Sequence, residues 1–162
     1  MTIVDVARLF LHVRERAGAQ NEGLRVEAIQ KWCGGAKGQS WCCYMVMLWL
    51  DLLYGGKSPV HGPAGPGHRT GSCDDVLQQA KKEGWLSEIP HVGDLYLFVR
   101  PGTEDAHHIG VVTDVRAGEF CGISGNTSED GLSSNGNGVY ERWMAIKPGK
   151  HFFVRYPREA IA

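Results

Sequence analysis

The hydrophobic period of this chain changes near Gly93-Asp94, and that change constrains the fold more than any other feature. Before it, apolar residues recur at helical spacing; after it, they come in short runs rich in strand formers. Thr2 is placed to cap a first helix carrying Val6, Leu9, Phe10 and Val13. A second helix is predicted from Leu24 to Trp32, ending at Gly34-Gly35. A third begins near Trp41 and stops at Gly55-Gly56, and Ser72 with Asp75 gives a capping-box-like start to a fourth through Lys82. Strands are predicted over Leu95–Val99, His108–Val115, Glu119–Ser124, Val139–Ala145 and His151–Tyr156. A helical half followed by strands on short connections predicts an α+β fold. Its N-terminal helices would pack on a five- to six-stranded antiparallel sheet. With no linker in view, residues 1–162 read as one domain.

Charge narrows the range of partners. Seventeen Lys and Arg balance 18 Asp and Glu for a formal net charge of −1, and the basic residues are scattered. No nucleic acid and no polybasic membrane contact are therefore expected. No stretch reads as a membrane span, and Met1–Val13 lacks the charge and apolar core of a signal peptide. The expectation is a protein made in the cytoplasm that acts elsewhere only after lysis or dedicated export. Five cysteines (Cys33, Cys42, Cys43, Cys73, Cys121) without a C-x-x-C pair argue against a disulfide scaffold or a zinc cluster. Most should be small buried hydrophobes, with at most one chemically special. Glu129 and Asp130 lack calcium-loop spacing, so no metal or cofactor is expected. A monomer is expected.

The chemically special candidate is Cys42, in the run Gly38-Gln39-Ser40-Trp41-Cys42-Cys43 at the mouth of an apolar helix. Cys42, Met45, Val46, Trp49, Leu50 and Leu53 share a helical stripe, with Cys43 rotated off it. A helix N-terminus offers unpaired N–H groups and a positive dipole end, which activate a thiol and can receive an oxyanion. Gln39, an uncharged donor just upstream, and Trp41 are the candidate oxyanion or substrate-binding residues, with Ser40 second to Gln39.

The strands supply the partners. Arg116-Ala117-Gly118 reads as a three-residue hairpin loop, and a turn centred on Ala117 sets His108 opposite Asn126, roughly 5 Å apart at Cβ. Ile109, Val111, Val115, Cys121 and Ile123 then face the core, while His108, Gly110, Gly122 and Ser124 share the other face. That nearly bare face leaves room for the helix end carrying Cys42, and it selects His108 over His107. Asn126 would orient the imidazole, with Asp105 as its rival. Asp114, about 20 Å along the strand, is too far. Asp94 reads mainly as a turn residue, and His61, His68 and His91 as solvated loop residues.

The order Cys, His, Asn on a helix-then-sheet layout resembles the papain-like superfamily, and more narrowly the CHAP family (cysteine, histidine-dependent amidohydrolases/peptidases). The matching pieces are Asn21-Glu22-Gly23, Gly38 to Cys42, Val92-Gly93-Asp94-Leu95, His108-Ile109-Gly110-Val111-Val112 and Gly125-Asn126-Thr127-Ser128. NlpC-type peptidases share some of these features. The resemblance implies a papain-like fold and a phage-lysin-like enzyme that cuts amide bonds in bacterial peptidoglycan. It matches Cys42 to the nucleophile, His108 to the general base and Asn126 to the orienting residue. The chain departs at Cys43, where the family more often has a small apolar residue. It departs also at Gln39, which lies three residues before the nucleophile instead of directly before it.

The expected activity is thus that of an endopeptidase or N-acetylmuramoyl-L-alanine amidase on stem peptide or cross-bridge. An immunity protein would be a partner if the chain is a secreted effector. Three alternatives remain open at this point. They are a papain-like protease, deamidase or acyltransferase acting on proteins, a catalytically silent wall-binding module, and a metal-binding structural protein.

Overall fold

The computed structural model describes residues 1–130 and 136–159. The polar, glycine-rich stretch Thr127–Gly138 reads from sequence as a loop; its residues 131–135 lie outside the described residues. Four helices precede the main strands: α1 (Ile3–Arg8), α2 (Leu24–Trp32), α3 (Cys42–Tyr54) and α4 (Cys73–Glu83). The strands are β1 (Leu86–Ser87), β2 (Leu95–Val99), β3 (Ala106–Arg116), β4 (Glu119–Thr127), β5 (Gly138–Ala145) and β6 (His151–Val154). They form one antiparallel sheet in the order β1-β6-β2-β3-β4-β5. The fold is α+β, as the change of period requires.

Local chemistry explains most helix ends. At α1, the Thr2 hydroxyl accepts from Asp5 N–H while the Asp5 carboxylate accepts from Thr2 N–H, a complete capping box. That helix stops at Arg8 and does not run on to Val13. Val13 instead accepts from Val139 N–H, and Arg14 bridges to Gly138, so its burial belongs to the β5 edge. At α4, Ser72 caps through Asp75 N–H, but the Asp75 carboxylate turns to the Thr70 hydroxyl and closes no reciprocal bond. Gly55 ends α3 in the left-handed region, at φ +60°.

α3 forms the centre of the core. Its residues Cys42 to Met47, Trp49 and Leu50 are all buried, so the helix is covered nearly all round and has no single buried stripe. It packs on β3 and β4, in one cluster with Ile109, Val111 and Ile123. Gly125 makes the approach close: a Cβ there would sit 2.8 Å from Trp41 Cζ3 and 3.1 Å from Met45 Cβ.

The opposite face carries a second cluster of Tyr96, Val112, Phe120 and Phe153. The expectation that Gly110 and Gly122 clear space for a helix is corrected here, because the Tyr96 ring covers both glycines. A Cβ at either would lie 2.5 Å from that ring. Asp94, read from sequence as a turn residue, is fully buried. It accepts from His91 N–H and pairs with Arg155 and Arg158 at 3.1 and 3.0 Å. Such a buried carboxylate is stable only because it is so fully bonded.

Candidate active site

Two irregularities in the sheet decide where the site side chains point. The β3–β4 turn holds two residues, Ala117 and Gly118, since Arg116 pairs with Glu119. A register shift between Val112 and Asp114 then restores pairing symmetric about Ala117, with Val111 opposite Ile123. The three-residue loop expected from sequence is thus replaced by a shorter turn plus a bulge. Between β2 and β3 another shift falls after Phe98, which pairs with His108, while Val99 pairs with Ala106. His107 is the extra residue.

His108 is fully buried, its ring centroid 5.3 Å from Phe98 and 6.3 Å from Tyr96. Its Nε2 lies 2.9 Å from Ser124 Oγ. Its Nδ1 has no hydrogen-bond partner among the described residues. Asn126, the expected orienting residue, does not hold the ring. β4 bulges between Ser124 and Thr127, and Asn126 adopts φ +52°, unusual for a residue with a side chain. The distortion turns its amide toward the segment before α3, where Nδ2 donates to Ser40 Oγ at 2.7 Å. Its buried Oδ1 has no partner among the described residues.

Cys42 is the first residue of α3 and is buried. Its sulfur lies 3.9 Å from Cys73 Sγ and 3.9 Å from Ser40 Oγ. Its pKa is pushed well above the ordinary thiol value, first by the Cys73 contact and then by burial, while hydrogen bonding and charge from His108 pull it down. The imidazole is thus near enough to influence the thiol, but no hydrogen bond of ordinary geometry joins the two. Nothing caps α3 from a side chain: Trp41 is the N-cap residue and makes no cap bond, and the first turn carries no acid. Its leading N–H groups therefore have no side-chain acceptor.

The two oxyanion or substrate candidates each have a bonding partner in the fold. Gln39 Oε1 accepts from Ala36 N–H at 2.8 Å and Tyr44 OH at 2.7 Å, so that amide braces the Gly35–Gly38 turn. Trp41 is fully buried against Gly125, and its Nε1 donates to Glu15 Oε1 at 2.8 Å. Its ring thus packs in the core against Gly125, with its one polar atom already bonded.

Two participants escaped the sequence reading. Ser124 was placed on the histidine's face but given no role. The signal was there, because it lies diagonally across the strand pair from His108. Cys73 had no such signal beyond its position behind the Ser72 cap, since its contact with Cys42 joins segments 31 residues apart.

Two grooves flank the Cys42 segment. One, of about 690 Å³, is lined by Glu15, Gln20, Ser128, Glu129, Asp130 and Tyr140 among others. The other, of about 570 Å³, lies among Trp32, Cys33, Tyr44, Arg69 and Gly71. Cys42 lines neither. Ser40, an exposed residue, lies 3.9 Å from the thiol. No group of metal-ligating residues occurs among the described residues.

No known family model matches the chain, and no curated protein does. Among solved structures, the crystal structure of Ly7917 aligns with a TM-score of 0.47 at 12% identity. The alignment covers 72% of this chain and 53% of that one, so this chain matches about half of its length.

Proposed function

We propose that this chain is a thiol-dependent peptidoglycan hydrolase that cuts amide bonds of the stem peptide or cross-bridge. The observation that carries the reading is the meeting of Cys42, at an uncapped helix start, with an imidazole held at Nε2 and open at Nδ1. Nε2–H donates to the Ser124 hydroxyl, which fixes the tautomer and leaves the Nδ1 lone pair for the thiol. The orienting group is a neutral hydroxyl in place of the carboxamide expected from the CHAP resemblance.

In this reading the resting pair is thiol and imidazole, because burial and Cys73 hold the Cys42 proton in place. His108 removes that proton as the sulfur attacks the substrate carbonyl. The α3 N–H groups receive the developing oxyanion. The amine leaves with the proton from His108, and water, activated by the same imidazole, releases the acid from the thioester. Asn126 acts on the outer wall, holding Ser40 beside the sulfur. Ser128 to Asp130 and Gly67 to Gly71 border the flanking grooves and would select the substrate.

The test is digestion of purified sacculi, with mass spectrometry of the released muropeptides and labelling of new amine ends. New ends that depend on Cys42 are expected. Binding to sacculi without new ends would indicate a wall-binding module, and cleavage confined to a protein panel would indicate a protein-directed enzyme.

A further inference from the structure

Cys42 and Cys73 each open a helix, and their sulfurs lie 3.9 Å apart in the buried interior. A disulfide needs about 2.05 Å, so closing the gap takes about 1.9 Å of sulfur movement. Both positions are held by their surroundings. Ser72 caps the helix at Cys73, and Asp74 Oδ1 accepts from Ala106 N–H at 2.7 Å, tying α4 to the start of the histidine strand. Trp41, directly before Cys42, is anchored by Glu15.

The other thiols are less suited to react. Cys33 Sγ donates to Tyr44 O at 3.5 Å, Cys43 Sγ donates to Thr70 O at 3.4 Å, and Cys121 sits on β4. Only Cys42 has both an imidazole and a second sulfur beside it.

We propose that Cys42 and Cys73 form a reversible redox lock, in which a peroxide joins them as a disulfide and removes the nucleophile. The regulatory part rests on the reading of Cys42 as that nucleophile. With His108 taking its proton, the Cys42 thiolate attacks one peroxide oxygen and becomes a sulfenic acid, and the other oxygen leaves as water. The Cys73 sulfur then attacks the Cys42 sulfur; the S–O bond breaks, a second water leaves, and the S–S bond forms. Two thiols lose two electrons and two protons, and hydrogen peroxide is reduced to two waters. A dithiol reductant reverses the bond. The lock also spares Cys42 from irreversible oxidation, because the resolving sulfur is already in contact.

The experiment treats the reduced full chain with hydrogen peroxide and maps tryptic peptides without reduction. The expected product joins Gly38–Lys57 to Thr70–Lys81, lighter by two hydrogens than the separate peptides. It should be absent from Cys42→Ala and Cys73→Ala. Persistence of the link in Cys42→Ala would assign it to Cys43, the other cysteine of that peptide, and overturn the proposal. On sacculi, the oxidised wild type should lose at least tenfold in rate and regain it with dithiothreitol. Cys73→Ala oxidised with excess peroxide, which carries Cys42 past sulfenic to sulfinic acid, should lose activity against its own reduced rate and not regain it with dithiothreitol. Sacculus hydrolysis without a peroxide-induced link defeats the lock. A link in a protein that never cleaves sacculi defeats the functional reading and leaves the disulfide standing.

Discussion

Both α3 and α4 begin with a cysteine, yet the two helix ends are finished in opposite ways. At α4 the Ser72 hydroxyl satisfies a first-turn N–H, and Asp74 and Asp75 answer the positive end of the dipole. At α3 there is no side-chain cap and no first-turn acid. The α4 end is electrically complete, so Cys73 has no built-in reason to hold an anion. The α3 end carries orphan N–H groups beside a sulfur and an imidazole, a site that gains from binding negative charge. A helix terminus without a cap inside a folded protein is costly, and under the proposed function a reacting oxygen would supply the missing acceptor.

The sharpest way to break this contrast is to remove each sulfur. Cys42→Ala should lower sacculus hydrolysis by about a thousandfold or more, with an unchanged circular-dichroism spectrum. Full activity in Cys42→Ala together with loss in Cys43→Ala would place the nucleophile elsewhere. Ser124→Ala should cost roughly ten- to a hundredfold in kcat with a small change in KM, because the imidazole loses its orienting partner. An unchanged kcat would show that ring packing on Phe98 and Tyr96 orients the imidazole unaided.

Cys73→Ala should act on acidity. The Cys73 contact is the largest influence raising the Cys42 pKa, so removing it should lower that pKa. The pH midpoint for iodoacetamide labelling of Cys42 should then move to lower pH; movement the other way would contradict the assigned cause. The smallest effect is at the finished end. Ser72→Ala should cost about 1 kcal/mol in denaturant-measured stability and leave the labelling profile of Cys42 in place.

The same contrast separates what was legible in sequence from what was not. Helix ends that rest on short-range bonds, such as the Thr2 box, the Ser72 cap and the Gly55 stop, were readable because both partners lie within a few residues. The strand alternation was readable too, and it put His108 and Ser124 on one face. Three features escaped. β1, a pair of residues, is too short to show a pattern and exists only through its bonds to β6. Val13 looked helical from its spacing, but its backbone is bonded to a strand more than a hundred residues away. Asn126 looked correctly placed until the β4 bulge turned it to Ser40.

Residue order alone determined that helices come first and an antiparallel sheet second, because hydrophobic period and capping act over a few residues. It also singled out a cysteine at a helix mouth and the histidine strand. Only the folded chain decided which hydroxyl holds the imidazole, that Gln39 braces a turn while Trp41 packs in the core, and that a second sulfur touches the first. Those outcomes depend on bulges and interior contacts between distant segments, where a one-residue shift in register moves a side chain to the other face of the sheet.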